Sequence, residues 1–369
     1  MEDSYMGNTY QNPVQRGFFP DPSVVRVGED YYMVNSTFQY FPAIAISHSK
    51  DMVHWHVIGH AVTDPDELDL QDIRDSHGIW APDISYHDGR FIIMATLRLN
   101  ADGKRGSNVM RRQLVVSSDK PEGPYSKPSW LEVDSIDPSH FVDDDGRHYM
   151  VISPGINLVP LSDDCTKVTG DTIPVWQGTG ERCPEGPHLL KRGKYYYAIL
   201  AEGGTGYGHG INVGRSENLF GPYEPSPYNP LMRQFDPDAP IQRTGHGKLI
   251  QTQNGDWWVY YLMGRPNQGH YTTIGRESGL DPVTWLADDW FVINDRKGPS
   301  TEQTAPDLPP HPFEKWARDD FDSDQLNVNW EFVRNPAKGS YSLTERPGYF
   351  RIWTRDGQLS EIRAKNTLV

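Results

Sequence analysis

Cysteine is nearly absent from this chain, which has only Cys165 and Cys183 among its 369 residues. Two cysteines provide neither a disulfide framework nor a zinc site of the usual spacing, so we expect two free thiols. Long apolar runs are also missing, because no segment approaches the roughly 20 residues of a membrane span. The net charge of −15 disfavours nucleic acid and anionic membrane surfaces as partners. A neutral ligand is compatible with this charge.

The N-terminus lacks the features of an export signal. Its first ten residues, MEDSYMGNTY, contain neither a basic region nor an apolar stretch. We therefore expect a cytoplasmic protein, with secretion after removal of a signal peptide as the alternative. The sequence gives no indication of oligomeric state.

Long stretches with helical periodicity are absent as well. The chain is instead rich in turn formers, with 34 glycines and 30 prolines, and aromatic residues make up 12% of it. Aromatic side chains favour strands and also stack on sugars, and frequent turns are typical of all-β proteins. The composition therefore predicts an all-β fold.

A repeated unit organises most of the sequence. Each copy has a lead residue that is acidic in four copies and histidine in the fifth, then an apolar strand, a turn such as GED, HDG or QNGD, and an aromatic strand. The five copies span residues 17–38, 81–97, 136–153, 185–204 and 245–264. A period of about 50 to 60 residues with strand signals in each unit is typical of a β-propeller. We predict five blades of four strands, with Gln11–Gln15 closing the ring on the last blade.

The lead residues of the repeats are the candidate functional residues. They are Asp21, Asp83, Asp137, Glu185 and His246. If every unit packs alike, these side chains converge at one end of the central channel. Carboxylates are costly to cluster without a use, which favours a functional site over chance.

Three further side chains have two readings each. Trp80, just before the second lead residue, either forms the floor of a sugar site or belongs to the core. Arg276 either tunes the pKa of nearby carboxylates and holds hydroxyls or makes a surface salt bridge. His209 lies in a glycine-rich stretch, where a surface histidine is the favoured reading over a site residue.

Clustered carboxylates with aromatic walls suggest glycoside hydrolysis. One carboxyl group must stay protonated to protonate the leaving oxygen, and another must be ionised to activate water or attack carbon. A third can raise the pKa of the acid by like-charge repulsion. No Ser/His, Cys/His or metal-ligand arrangement competes with this interpretation.

The repeats are followed by a different region. Residues 297–312, KGPSTEQTAPDLPPHP, are rich in proline and read as a linker. We therefore predict a propeller over residues 1–296 and the N-terminal part of a β-sandwich over residues 313–369. About 55 residues are marginal for such a domain, so we expect a β-sandwich that is cut short.

The motifs resemble those of glycoside hydrolase family 43, in its β-xylosidase and α-L-arabinofuranosidase branches. They include NPVQRGFFPDPS, GIWAPDISYHDG, DPSHFVDDDG, EGPHLLKRGKYYY, TGHGKLIQT and IGRES. They occur in the family's order over roughly residues 11–295, and the tail is similar to the β-sandwich that follows the propeller in these xylosidases.

The resemblance implies three catalytic roles. Asp21 in the PDPS motif corresponds to the general base, Asp137 to the aspartate that modulates the pKa of the acid, and Glu185 to the general acid. The family's mechanism is a single displacement with inversion, which requires the base and the acid to stand about 6.5–9.5 Å apart.

The resemblance also implies contacts around the sugar. Phe38 and Trp80 correspond to residues that line its subsite, and Arg276 to one that binds hydroxyls. Asp83 departs from the family, since close xylosidase relatives often have histidine there; we place it among the substrate-binding residues. His246 corresponds to a channel histidine that contacts a calcium ion or water in some relatives. Catalysis itself is expected to need no cofactor, so any such ion would be structural.

These observations predict an exo-acting hydrolase that releases xylose or L-arabinofuranose from hemicellulose oligosaccharides. An endo-acting, arabinanase-like hydrolase and a non-catalytic sugar-binding propeller are the alternatives. A retaining fructan hydrolase is disfavoured, because its aspartate usually lies in an NDPNG-like context. An interaction scaffold and an inactive fragment also stay open.

Overall fold

The computed structural model describes residues 5–6, 8–100, 111–267, 270–362, 364 and 366–369. The described residues form an all-β fold, with one short 3₁₀ turn at Asn294–Arg296. Five antiparallel sheets follow one another along the chain, as the five repeats predict. The prediction of a five-bladed propeller is confirmed. No helix in this part of the chain is both long and apolar enough to cross a membrane.

The first half of the chain forms an N-terminal pair of strands and the first two blades. The N-terminal pair is β1 (Tyr5–Met6) and β2 (Thr9–Gln11). The next five are β3 (Ser23–Val27), β4 (Asp30–Asn35), β5 (Tyr40–Phe41), β6 (Ala43–Ser49) and β7 (His56–Val62). Blade one is β3-β4-β6-β7. Blade two is β8 (Gly78–His87), β9 (Arg90–Arg98), β10 (Arg111–Ser118) and β11 (Ser129–Leu131).

The remaining three blades repeat this arrangement. Blade three is β12 (Ser139–Val142), β13 (His148–Ile152), β14 (Ile156–Pro160) and β15 (Ile173–Trp176). Blade four is β16 (Glu185–Arg192), β17 (Tyr195–Glu202), β18 (Gly210–Ser216) and β19 (Glu224–Pro225), with β20 (Met232–Arg233) also on β18. Blade five is β21 (Gln242–Gln251), β22 (Trp257–Gly264), β23 (Glu277–Trp285) and β24 (Phe291–Ile293).

The core lies between neighbouring blades, because each blade alone has two faces to bury. Aromatic and β-branched side chains of adjacent sheets form continuous buried clusters. Between blades one and five, for example, Tyr31 and Met33 pack in one cluster with Tyr260 and Leu280. The repeats therefore stabilise one another rather than fold separately.

The N-terminal segment closes the ring onto blade five, as predicted. Its residue Gln15 forms an antiparallel bridge with Ser278 on β23, and the Tyr10 hydroxyl donates to the Leu280 carbonyl at 2.6 Å. These contacts lie beyond the part of β23 that pairs with β24. The first and last parts of the propeller are thus joined by hydrogen bonds.

The region after the propeller begins with contacts to it. Strand β25 (Glu302–Thr304), inside the predicted linker, pairs with β2, and β26 (Phe332–Val333) pairs with β5. Beyond these, β27 (Tyr341–Ser342) pairs with β28 (Arg351–Ile352).

The loop between blades one and two is held by this C-terminal region. The buried Arg334 guanidinium donates to the Ile73 carbonyl at 2.6 Å and to the Asp75 carboxylate at 2.6 Å. Asn335 bonds the backbone of Leu68 at 2.9 Å. Because this loop leads into Trp80, the C-terminal region helps to position one wall of the channel mouth.

Candidate active site

A cavity of about 300 Å³ opens at one end of the channel. The residues that line the cavity come mostly from the starts of the inner strands and from the loops beside them. The lining side chains include Asp21, Phe38, Trp80, Asp137, Glu185, His209, His246 and Arg276. The structure therefore brings together seven of the eight predicted site residues, and it adds His209.

A backbone pattern decides which side chains face this cavity. One residue in each blade, just before a proline or glycine, has a left-handed backbone conformation. These are Asp21 (φ 52°), Ala81 (35°), Asp137 (57°), Gly186 (58°) and His246 (52°). Such conformations are strained for residues other than glycine and persist where the surroundings fix them, often at functional sites. Glu185 precedes Gly186 and also lines the cavity.

Asp83 does not line the cavity, contrary to its predicted place at the pocket. The residue of blade two that corresponds to Asp21 is Ala81, and Asp83 lies two residues further into the channel. The pairing of β8 with β9 is irregular between Trp80 and Asp83, so Trp80 and Ala81 both line the cavity while Asp83 is buried below them. In the first four blades a residue followed by proline marks this position, so the sequence did indicate that Ala81 corresponds to Asp21.

Asp83 instead belongs to a buried polar layer below the cavity. Its carboxylate accepts hydrogen bonds from the Ser23 hydroxyl at 2.6 Å, the Lys248 ammonium at 2.8 Å and the His140 backbone N–H at 2.9 Å. His188 is 3.7 Å away. Burial alone would raise the pKa of Asp83, but Lys248 and His188 lower it below its usual value. Asp83 is thus an ionised structural partner of Lys248.

The surroundings of His246 do not fit the calcium ion raised by the resemblance. Calcium takes six to eight oxygen ligands. Among the described residues, His246 belongs to no cluster of three side chains with the spacing of a metal site. Lys248 already provides a positive charge in the buried polar layer below the cavity. Its ammonium disfavours a second cation nearby.

Asp21 is held as a carboxylate. Its Oδ1 accepts a hydrogen bond from Arg276 at 2.9 Å and lies 3.7 Å from His246 Nδ1, while its Oδ2 accepts from the Ser36 hydroxyl at 2.6 Å. Burial alone would raise the pKa of Asp21, but Arg276, His246 and Ser36 lower it below its usual value. The group is therefore ionised at neutral pH.

Glu185 has the opposite electrostatic environment. Burial, followed by repulsion from Asp137 and Asp21, raises its pKa to about 8. Asp137 accepts a hydrogen bond from the Gly186 backbone N–H at 2.9 Å, which fixes it beside the Glu185 backbone. Burial also raises the pKa of Asp137. Glu185 is therefore protonated at neutral pH and can donate its proton.

Aromatic rings form one wall of the cavity. The Phe38 and Trp80 rings lie 6.4 Å apart, and the more exposed Phe18 packs 5.7 Å from Phe38. The Arg276 guanidinium lies 5.3 Å above the Phe38 ring, so it touches both this wall and Asp21. Arg276 is not a surface salt bridge, and Trp80 faces the cavity, as the functional reading of each predicted.

His209 is the site residue that the sequence reading misplaced. It is 1% exposed, and its Nδ1 lies 3.9 Å from Glu185 Oε1. Burial lowers its pKa to about 3, so the imidazole is neutral. A side chain at Gly245 would come within 2.2 Å of the His209 ring, so the glycine before His246 makes room for it. Gly245, in the next blade, is therefore the feature of the sequence that could have indicated a buried His209.

Comparison with known proteins agrees with this geometry. The family model for glycosyl hydrolases family 43 matches residues 10–291, and the model for the beta xylosidase C-terminal concanavalin A-like domain matches residues 318–369. The chain therefore belongs to glycosyl hydrolase family 43. The resemblance found in the sequence and the expectation of a β-sandwich after the propeller are both confirmed.

Several relatives are similar over nearly the whole chain. The non-reducing end alpha-L-arabinofuranosidase BoGH43B of Bacteroides ovatus is 43% identical over 352 residues, which are 93% of this chain and 65% of that protein. A xylan 1,3-beta-xylosidase of Vibrio is 40% identical over 374 residues, 94% of this chain and 69% of its own. The crystal structure of the GH43 protein BlXynB from Bacillus licheniformis superposes with a TM-score of 0.94 at 63% identity, covering 98% of this chain and 71% of that one. The chain thus spans about two thirds of the length of these relatives.

Asp83→Ala tests the structural role of Asp83. We expect it to reduce the free energy of unfolding by about 3 kcal/mol, because it leaves the partly buried Lys248 ammonium and the buried His140 N–H without their partner. Chemical denaturation of the purified protein measures this change. The double variant Asp83→Ala/Lys248→Met should recover part of the loss, since it removes the unpaired charge. A single variant as stable as the wild type would contradict this assignment.

Proposed function

We propose that this protein is an exo-acting glycosidase that releases a terminal pentose, xylose or L-arabinofuranose, from hemicellulose oligosaccharides with inversion. The observation that carries the proposal is the pair of opposite pKa shifts in one cavity. Asp21 is ionised and Glu185 is protonated at the same pH. Two carboxyl groups whose surroundings push their pKa values apart are the arrangement that acid–base hydrolysis of a glycosidic bond needs.

Asp21 is the proposed general base. Its carboxylate takes a proton from a water molecule as the water oxygen attacks the anomeric carbon. Arg276 and Ser36 hold both carboxylate oxygens, so the base is fixed before substrate enters. Fixing the reacting groups in advance lowers the entropy that the transition state must lose.

Glu185 is the proposed general acid. It gives its proton to the leaving oxygen while the bond from that oxygen to the anomeric carbon breaks. Asp137 contributes by charge, since its repulsion raises the pKa of Glu185, and by its bond to the Gly186 N–H. After one turnover Asp21 carries a proton and Glu185 lacks one, and exchange with solvent restores both.

The size and walls of the cavity support action on a chain end. A volume of about 300 Å³ is at the small end of ligand pockets and suits a single terminal sugar. Phe38 and Trp80 offer apolar faces for the sugar ring, and Arg276 and His209 offer polar groups for its hydroxyls. Relatives named as beta-xylosidases and as an alpha-L-arabinofuranosidase support both pentoses as substrates.

Hydrolysis of nitrophenyl β-xyloside and nitrophenyl α-L-arabinofuranoside tests the activity. We expect turnover of at least one substrate and a loss of about 10³-fold or more in kcat for Asp21→Ala, since no other carboxylate replaces the base. Glu185→Ala should lose less on these substrates than on a xylo-oligosaccharide, because nitrophenolate leaves with little help from an acid.

The matched control is Glu217→Ala, which removes an exposed carboxylate paired with Lys194 and should leave the rate unchanged. A wild-type protein that binds xylo-oligosaccharides but cleaves neither nitrophenyl substrate would favour the sugar-binding propeller. Cleavage restricted to internal bonds of a polymer would favour the endo-acting alternative.

The pH dependence of kcat/KM on a xylo-oligosaccharide gives a second test. The rate should fall above pH about 8, because Glu185 then loses the proton that it donates. The acid limb should lie below pH ~4, since the pKa of Asp21 is lowered from its usual value. In Glu185→Gln, the residual hydrolysis of a nitrophenyl substrate should lack the alkaline limb. An unchanged alkaline limb in that variant would show that another group sets it.

A further inference from the structure

Three side chains that take no part in the proposed reaction meet in blade three. His140 lies on β12, His148 on β13, and Cys165 in the turn after β14. His140 Nε2 is 2.9 Å from His148 Nδ1, and Cys165 Sγ is 3.5 Å from the first nitrogen and 3.4 Å from the second. All three residues are buried, and none of them lines the active-site cavity.

These separations match those of ligands around one small metal ion. A tetrahedral Zn²⁺ with Zn–N bonds of about 2.0–2.1 Å and a Zn–S bond of about 2.3 Å keeps its nitrogen ligands about 3.3 Å apart and a nitrogen and a sulfur about 3.6 Å apart. The three distances in the protein are within a few tenths of an ångström of these values. We propose that His140, His148 and Cys165 bind a zinc ion, with water as the fourth ligand.

The choice of metal follows from the donors. Two imidazole nitrogens and one thiolate form a borderline-soft set, which suits Zn²⁺ and disfavours Mg²⁺ and Ca²⁺. Zinc also accepts three protein ligands and a water without a change in geometry. Cobalt(II) takes the same tetrahedral positions and serves as a coloured probe of the site.

A partner behind His140 orients it for this role. The Ser85 hydroxyl lies 2.7 Å from His140 Nδ1, and it faces the Ile92 carbonyl at 3.5 Å. An Nδ1–H that donates to Ser85 leaves Nε2 as the lone-pair nitrogen directed at Cys165 and His148. Metal-binding histidines are usually held in this way by a hydrogen bond from the other ring nitrogen.

The electrostatic surroundings agree with the uptake of a cation. Asp163 and Asp164 precede Cys165 in the turn, and their negative charges act on its thiol. The same two carboxylates favour an incoming positive ion. Binding replaces the thiol proton by the metal and releases that proton to solvent.

The position of the cluster indicates a structural role. It ties β12, β13 and the turn after β14 together within blade three. Strand β12 begins two residues after Asp137, and the His140 backbone N–H donates to Asp83 at 2.9 Å. A bound ion would therefore stiffen the blade that carries Asp137 without contacting substrate.

Cobalt titration of the full chain, after removal of metal with a chelator, tests the site. We expect one Co²⁺ per chain with a thiolate-to-cobalt charge-transfer band in the near ultraviolet, and loss of that band on addition of Zn²⁺. Cys165→Ser should abolish the band. Cys183→Ser is the matched control, because Cys183 is the other free cysteine and is exposed, and it should leave the band unchanged.

Thermal unfolding gives the second readout and guards against misfolded variants. Zinc in about 100-fold excess over its Kd should raise the Tm of the wild type and of Cys183→Ser by about 5 °C, and that of Cys165→Ser by much less. His148→Ala should lose the same response while keeping both cysteines. A folded wild type that gives no charge-transfer band would overturn the proposal in favour of a metal-free, hydrogen-bonded cluster. So would a band that persists in Cys165→Ser.

Discussion

The left-handed backbone conformation near the start of each inner strand is the constraint on which the site depends. It turns Asp21, Asp137 and His246 towards one cavity, and it recurs at Ala81 and Gly186. Each non-glycine residue in this conformation costs on the order of 1 kcal/mol or more, which the packing of neighbouring blades must offset. At Gly186 a side chain would come within 2.8 Å of the His246 ring, so glycine is required there. The ring of blades thus stabilises a strained arrangement that no single repeat would keep.

The carboxyl groups that meet in the cavity create an excess of negative charge, and the position of nearby charges decides which of them is ionised. Among the residues that the structure describes, three carboxyl groups share the cavity with one arginine, and that arginine pairs with Asp21. The remaining two carboxyl groups repel each other in a buried site, so a proton is retained there. Glu185 holds it because both of its acidic neighbours raise its pKa. The position of Arg276 therefore distinguishes the proposed base from the proposed acid.

The layer below contains a second, separate balance of charge. Lys248 and Asp83 pair inside the channel, where neither contacts the cavity. The two layers are stacked along the same strands, two residues apart, which is why they were difficult to separate from sequence. The carboxylate in the lower layer is paired with Lys248, whereas the carboxyl groups in the upper layer line the cavity.

Much of the fold could be predicted because its signals are local. Hairpin turns, aromatic strands and a regular repeat predicted five blades, and family motifs singled out Asp21, Asp137 and Glu185, which line one cavity. The predicted position of Asp83 was wrong, because the repeats were aligned on their acidic residues rather than on the residue that precedes a proline, which is Ala81 in blade two. His209 was misplaced because its burial depends on Gly245, in another blade. The cluster of His140, His148 and Cys165 could not be expected, since two strands and a turn bring together residues that lack the sequence spacing of a metal site.

The stereochemistry of hydrolysis tests the central claim most directly. Proton NMR of the first turnovers of a β-xyloside shows which anomer of xylose forms before mutarotation. A base and an acid acting through one water molecule predict that α-xylose forms first. Initial formation of β-xylose would show retention through a covalent intermediate, and it would contradict the role of Asp21 as a general base.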